Sequence, residues 1–284
     1  LVEGTRVAIG RGPKLMLGDP NDLALVLLFP MAFAAAIIAY DRSSPIRAMA
    51  LLALLLILYG IVLTQSRGGL VGVLAIALVF GMRIVRSKIL LVTVGSISAL
   101  TLYGAMGIAG RVSGGSREVG VDESSLDRFH TWATALKMAW ARPVTGIGVH
   151  NFADNYYFFT DYFDGIGRAP HSTWLGVLAE TGFPGFCTFV TMVVFCWLSL
   201  VRANRLARRF DLGHHIDGAG IGILAGLVGF CASGTFLSHG FNWPIYILVA
   251  LSAGFCRMVD SMFAPMATQP ARASDVSRLH GDVT

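Results

Sequence analysis

The stretch from Leu51 to Phe80, LLALLLILYGIVLTQSRGGLVGVLAIALVF, contains one charged residue, Arg67. Apolar runs at 48–65 and 68–82 flank it, each close to the roughly 20 residues a helix needs to cross the hydrocarbon of a bilayer. Between them there is room only for a tight turn around Ser66 and Arg67. An arginine so near hydrocarbon is costly and marks a functional candidate; the plain alternative is a snorkelling side chain at a helix end.

Working outward, further apolar runs occur at 23–40, 89–109, 174–200, 219–238 and 243–258, so about seven transmembrane helices are expected. Of the 284 residues, 55% are hydrophobic and 14% charged, whereas a soluble domain carries about 45–50% apolar and about 25% charged residues. That balance excludes a soluble globular enzyme, and it excludes a disordered chain, which needs low hydrophobicity. The fold class read from the sequence is an all-α polytopic membrane protein. The net charge of +5 does not point to nucleic acid, because the basic residues cluster in short connectors: Arg42 and Arg47; Arg83, Arg86 and Lys88; Arg202, Arg205, Arg208 and Arg209. If helices alternate, these connectors share one side with Arg257, Arg272 and Arg278, and the positive-inside rule makes that side cytoplasmic.

The expected organisation is an N-terminal external segment with four spans (1–109), an external loop (110–172), three further spans (173–258) and a disordered cytoplasmic tail (259–284). Cys187, Cys196, Cys231 and Cys256 lie in apolar runs and read as small buried hydrophobes. The chain opens on Leu1 rather than Met, read as an N-terminally truncated chain. Pro30 interrupts the first run, and Thr181 to Gly185 (TGFPG) breaks the fifth. Freed backbone groups at that depth need protein or water behind them, so the break is read either as a plain kink or as a broken helix beside a site.

The external loop starts as flexible coil around Ser113 to Gly120. Ser124 and Asp127 then have capping-box spacing, and Phe129, Trp132, Leu136 and Trp140 recur at helical spacing, predicting an amphipathic helix over 125–142 that ends before Pro143 and lies on the outer membrane surface. A glycine-rich turn with Gly146, Gly148, His150 and Asn151 follows. Beyond it, Tyr156, Tyr157, Phe158, Phe159, Tyr162 and Phe163 interleave with Asp154, Asp161 and Asp164. This stretch reads either as a sugar-stacking surface or as an interfacial aromatic belt.

Three residues carry candidate chemistry. Arg67 is followed by Gly68 and Gly69, which would allow a bulky anion close approach to the backbone. Arg128 is placed in the first turn of the amphipathic helix, where a cation is unfavourable unless an anion is held there by arginine and helix terminus together. His171, where the loop enters a span, has an imidazole suited to accept a proton near neutral pH. Glu180, nine residues on, would lie about 13 Å away on the opposite face of a continuous helix, so it reads as structural. His130, His150, His214, His215 and His239 are weaker candidates. No metal-ligand spacing or phosphate loop is seen, and no metal or cofactor is expected.

These features together resemble the O-antigen ligase and polymerase superfamily of bacterial membrane proteins. The resemblance rests on Asp19 to Asp22 (DPND), Thr64 to Gly69 (TQSRGG), Arg128 with Trp132, Pro143 to Phe152 (PVTGIGVHNF), and His171 to Gly182 (HSTWLGVLAETG), over most of residues 15–200. It implies a metal-independent, inverting glycosyltransferase of the GT-C type in the bacterial inner membrane, with its site facing the periplasm. The implied donor is an undecaprenyl-diphosphate-linked glycan and the acceptor a hydroxyl on lipid, glycan or protein. By this resemblance Arg67 and Arg128 hold the donor diphosphate and His171 is the base. Ser66, Gly68, Gly69, Trp132, Asn151 and Arg168 are candidate supporting residues. Members usually carry about ten to twelve spans, which agrees with the truncation reading. The chain is also similar to a subgroup proposed as O-glycosylation ligases in exosortase-linked gene clusters. The competing reading is a transporter or channel for a polysaccharide or other anionic substrate, which predicts an internal repeat and charges near mid-membrane.

Overall fold

The computed structural model describes residues 2–3, 6–7, 19–84, 93, 95–96, 123–161, 163 and 165–267. Apart from a two-residue antiparallel ladder, Val2–Glu3 with Arg6–Val7, the described elements are helical. They are α1 (Pro20–Tyr40), α2 (Ser44–Thr64), α3 (Arg67–Ile84), α4 (Glu123–Ala141), α5 (Phe152–Phe159), α6 (Thr173–Arg209), α7 (His214–Gly234) and α8 (Trp243–Ala267). Among the described residues, α1, α2, α6, α7 and α8 are long and apolar enough to cross a membrane. The 18-residue α3 is a further apolar helix packed among them. Most of the expected span at 89–109 lies outside the described residues, as do the coil expected around Ser113 to Gly120, the side chains of Ser124 and Asp127, and Tyr162 and Asp164.

Helix α7 is the axis of the bundle. It contacts α1, α3, α6 and α8, and 67% of its span is buried, against 11% for α2. The sequence reason is its glycines, which let neighbouring helices approach closely, as small residues do in membrane bundles. A Cβ at Gly222 would stand 3.1 Å from the Phe33 ring of α1. One at Gly229 would stand 2.8 Å from Ile76 of α3, and one at Gly226 would stand 3.4 Å from Leu248 of α8. By contrast, α2 turns Leu51, Leu52, Leu55, Leu56 and Tyr59 outward, as a lipid-facing helix must.

The start of α1 follows from local chemistry. Asp19 caps it, accepting from the Asn21 N–H at 2.7 Å, and Pro20 opens the helix where no N–H is needed. The helix continues through the exposed Pro30. At the far end of the chain α8 runs to Ala267, beyond the expected boundary at 258. Burial of Val259 and the packing of Phe263 on Phe210, with ring centroids 4.6 Å apart, hold this extension.

Helix α6 contains the expected break. Gly182 has φ 69° and ψ −173°, a combination essentially confined to glycine. The 143–148 turn fills the gap: the Phe183 N–H donates to the Pro143 carbonyl at 2.8 Å, and the Ile147 and Gly148 N–H groups donate to the Ala179 and Glu180 carbonyls at 3.0 Å each. Freed backbone groups are thus satisfied by another segment of the protein, as membrane depth demands.

Candidate functional site

One end of the bundle gathers the starts of α1, α3 and α6 around the α7–α8 turn, residues 235–242. The Asp22 carboxylate of α1 accepts a hydrogen bond from the fully buried His239 Nε2 at 2.8 Å. Because a carboxylate only accepts, Nε2 carries the proton, leaving Nδ1 to accept from the Asn242 side-chain amide at 3.0 Å. The His239 backbone N–H donates to Thr173 Oγ1 at 3.0 Å, and that hydroxyl donates to the Leu237 carbonyl at 2.6 Å. Ser172 caps α6, accepting from the Leu175 N–H. His171, just before this cap, has φ 46° and is half-buried.

Arg67 is the first residue of α3 and is half-buried. The preceding turn is built for this placement: Gln65 takes the left-handed conformation, and buried Ser66 accepts the Gly69 N–H at 3.1 Å. Gly68 and Gly69 differ from the expected role. Both are buried; a Cβ on Gly68 would meet Leu237 at 3.3 Å, and one on Gly69 would meet Ala24 at 2.7 Å. The room beside them is occupied by protein, so their smallness serves helix packing rather than approach of an anion.

Helix α4 starts at Glu123, which puts Arg128 beyond the first turn, inside the intrahelical ladder. The joint capture of an anion by Arg128 and its own helix terminus is therefore corrected to the side chain alone. Thr131, one turn later, reaches the Pro170 carbonyl at 3.5 Å, and Trp132 packs on Phe236 with ring centroids 6.4 Å apart. Thus Arg67 adjoins Leu237 through Gly68, Arg128 lies near Pro170 and Phe236 through Thr131 and Trp132, and His171 is next to Pro170. The segments that carry the three sequence candidates thus meet around residues 236–239. Half-buried Arg168 belongs to the segment entering Pro170. Asn151 shapes the start of α5, its carbonyl accepting from the Asn155 backbone and side chain.

Three of the four residues that set the α4 spacing point outward, and the fourth, Trp132, docks on Phe236. Phe129, Leu136 and Trp140 are exposed, while Thr131, Thr134, Ala135 and Met138 are buried. Ala135 and Met138 pack in one cluster with Phe152, Tyr156 and Ala179. The aromatic stretch after Asn151 forms α5, which buries Phe152 and Tyr156 and exposes Tyr157 and Phe158. Glu180 is structural, as read: its two carboxylate oxygens accept the His150 and Phe152 N–H groups at 3.0 and 3.2 Å.

Sequence reasoning passed over the Asp22–His239–Asn242 chain. Its only signals were an aspartate in DPND and a histidine in a short turn, with nothing linking them.

Residues 52–190 match the family model described as O-antigen ligase. No curated protein matches the chain.

Proposed function

Since the chain belongs to the O-antigen ligase and polymerase superfamily, we propose that it transfers a glycan from an undecaprenyl-diphosphate donor to an acceptor hydroxyl at the outer face of the bacterial inner membrane. In this reading Arg67 and Arg128 hold the donor diphosphate, and His171 takes the proton of the attacking hydroxyl. Arginine suits the first task because its planar, permanently charged fork matches phosphate oxygens. As the glycosidic bond breaks, negative charge grows on the leaving diphosphate. Two fixed guanidinium groups stabilise that charge more in the transition state than in the ground state, which is the work a divalent cation would do in a metal-dependent transferase.

The observation that supports this reading best is the gathering of the segments bearing Arg67, Arg128 and His171 around the 236–239 turn. The transporter reading expects charges near mid-membrane; Arg67 and His171 lie instead at the starts of α3 and α6.

The test is transfer of lipid-linked glycan by the complete protein in lipid nanodiscs. Removing a general base costs about 10²–10⁴-fold in rate. His171→Asn is the appropriate variant, because asparagine tolerates the left-handed backbone of this position. Loss of at least about a hundredfold is expected, with donor binding retained. Full transfer by both His171→Asn and His171→Ala overturns the assignment.

A further inference from the structure

Between the start of α6, helix α5 and the α7–α8 turn lies a cleft of about 200 Å³. We propose that it is a subsite for one pyranose ring of the glycan substrate, an inference that rests on the transferase reading above. A cleft this size suits one such ring and little more.

Its lining matches a neutral polyol. Phe241 and the exposed His150 ring, edge to face with centroids 5.9 Å apart, supply aromatic surface. The Ser238 hydroxyl oxygen is buried and has no partner among the described residues. The Asn242 amide nitrogen is committed to His239, leaving its carbonyl oxygen as an acceptor. Glu180 keeps further lone pairs beyond the two N–H groups it accepts. Among the described residues no lysine or arginine lines the cleft, so a phosphate entering it would meet the Glu180 carboxylate without a guanidinium or ammonium beside it. Specific sites combine apolar walls with a few fixed polar groups, and these groups are fixed: the Asp22–His239–Asn242 chain and Thr173 hold the turn, and Glu180 holds the His150 backbone.

The position fits the chemistry. Pro170, Ser172 and Thr173 line the cleft, so both chain neighbours of His171 form its wall. A sugar seated here presents a hydroxyl or an anomeric carbon beside the residue assigned as base.

The source of the ring, donor or acceptor, is separated by experiment. The full chain in nanodiscs is irradiated with an octyl glucoside bearing a diazirine on its sugar, and labelled peptides are mapped by mass spectrometry. Labelling is expected in 148–154 and 236–243, reduced at least about fivefold in Phe241→Ala and in His150→Asn, which keeps the left-handed backbone. Competition by extracted lipid-linked glycan assigns the ring to the donor, and competition by acceptor glycan alone assigns it to the acceptor. In steady state the same variants raise KM for that one substrate about tenfold with kcat nearly unchanged. Labelling confined to lipid-facing residues, or unaltered by both variants in correctly folded protein, overturns the subsite. Labelling needs no turnover, so a wild-type protein that transfers no glycan would sink the transferase reading, while labelling of 148–154 and 236–243 and its loss in the two variants would still decide the subsite.

Discussion

Replacing Glu180 by alanine tests whether the 143–152 segment is clipped to the break in α6 by one carboxylate. Two backbone donors, His150 and Phe152, lose their partner at 3.0 and 3.2 Å. Hydrogen bonds to a charged group contribute about 1.5–3 kcal/mol each, giving a ceiling of roughly 3–6 kcal/mol. The His150 bond is only part-buried, so water replaces some of it, and the lower end, about 3 kcal/mol, is expected. At about 1.4 kcal/mol per factor of ten, amide exchange at His150 and Phe152 should quicken roughly a hundredfold. Glu180→Gln keeps one carbonyl acceptor and should quicken exchange by only about tenfold. The assay is hydrogen–deuterium exchange by mass spectrometry in nanodiscs, with peptides from α1 and α7 as the reference. If exchange at the two amides stays within about threefold of wild type, or rises equally throughout α7, the carboxylate is not a local clip and the reasoning fails.

Further expectations concern neighbouring features. Gly182→Val should abolish folded yield in fluorescence-detected size-exclusion chromatography: φ 69° with ψ −173° excludes a branched residue, and a Cβ would meet the Pro143 carbonyl at 2.5 Å and Val144 at 2.9 Å. Asp22→Ala should lower the thermal midpoint by an amount equivalent to about 1–3 kcal/mol, because it leaves the buried His239 donor unpaired; Asp22→Asn should lose less, and an unchanged midpoint in the alanine variant would show that the pair contributes nothing. Asp161→Ala removes the exposed partner of Lys137 and should move stability by less than about 1 kcal/mol without affecting transfer. Arg67→Gln should weaken donor binding at least about tenfold, and Arg67→Lys should recover part of it; equal donor affinity in all three proteins would remove Arg67 from the diphosphate site.

Local chemistry made much of this legible. Long apolar runs gave the spans because burial in lipid imposes a minimum length, and the α4 prediction of 125–142 lies within two residues of the observed helix. TGFPG announced the α6 break, since glycine and proline act on their own backbone. Which face of α4 docks on protein was not legible. Periodicity reports which side is apolar, and here that side is mostly exposed while small residues and threonines dock on α6. Helix α5 was hidden because eight residues dense in aromatics, Asp and Asn carry no long period. The Asp22–His239 pair was illegible in principle: its members are 217 residues apart, and no local signal spans that distance.

That separation also sets an order on biogenesis. At synthesis rates of about 5–20 residues per second, roughly 10–40 seconds pass between emergence of Asp22 and emergence of His239. By the last part of that interval Arg67, Arg128 and His171 are already made, yet the turn that ties α1 to the start of α6 does not exist. A nascent chain halted after α7 therefore holds every proposed charged participant but lacks the latch that aligns them. Formation of the α7–α8 turn is what would convert an inserted chain into a competent one, delaying the proposed reaction until residue 239 has been made.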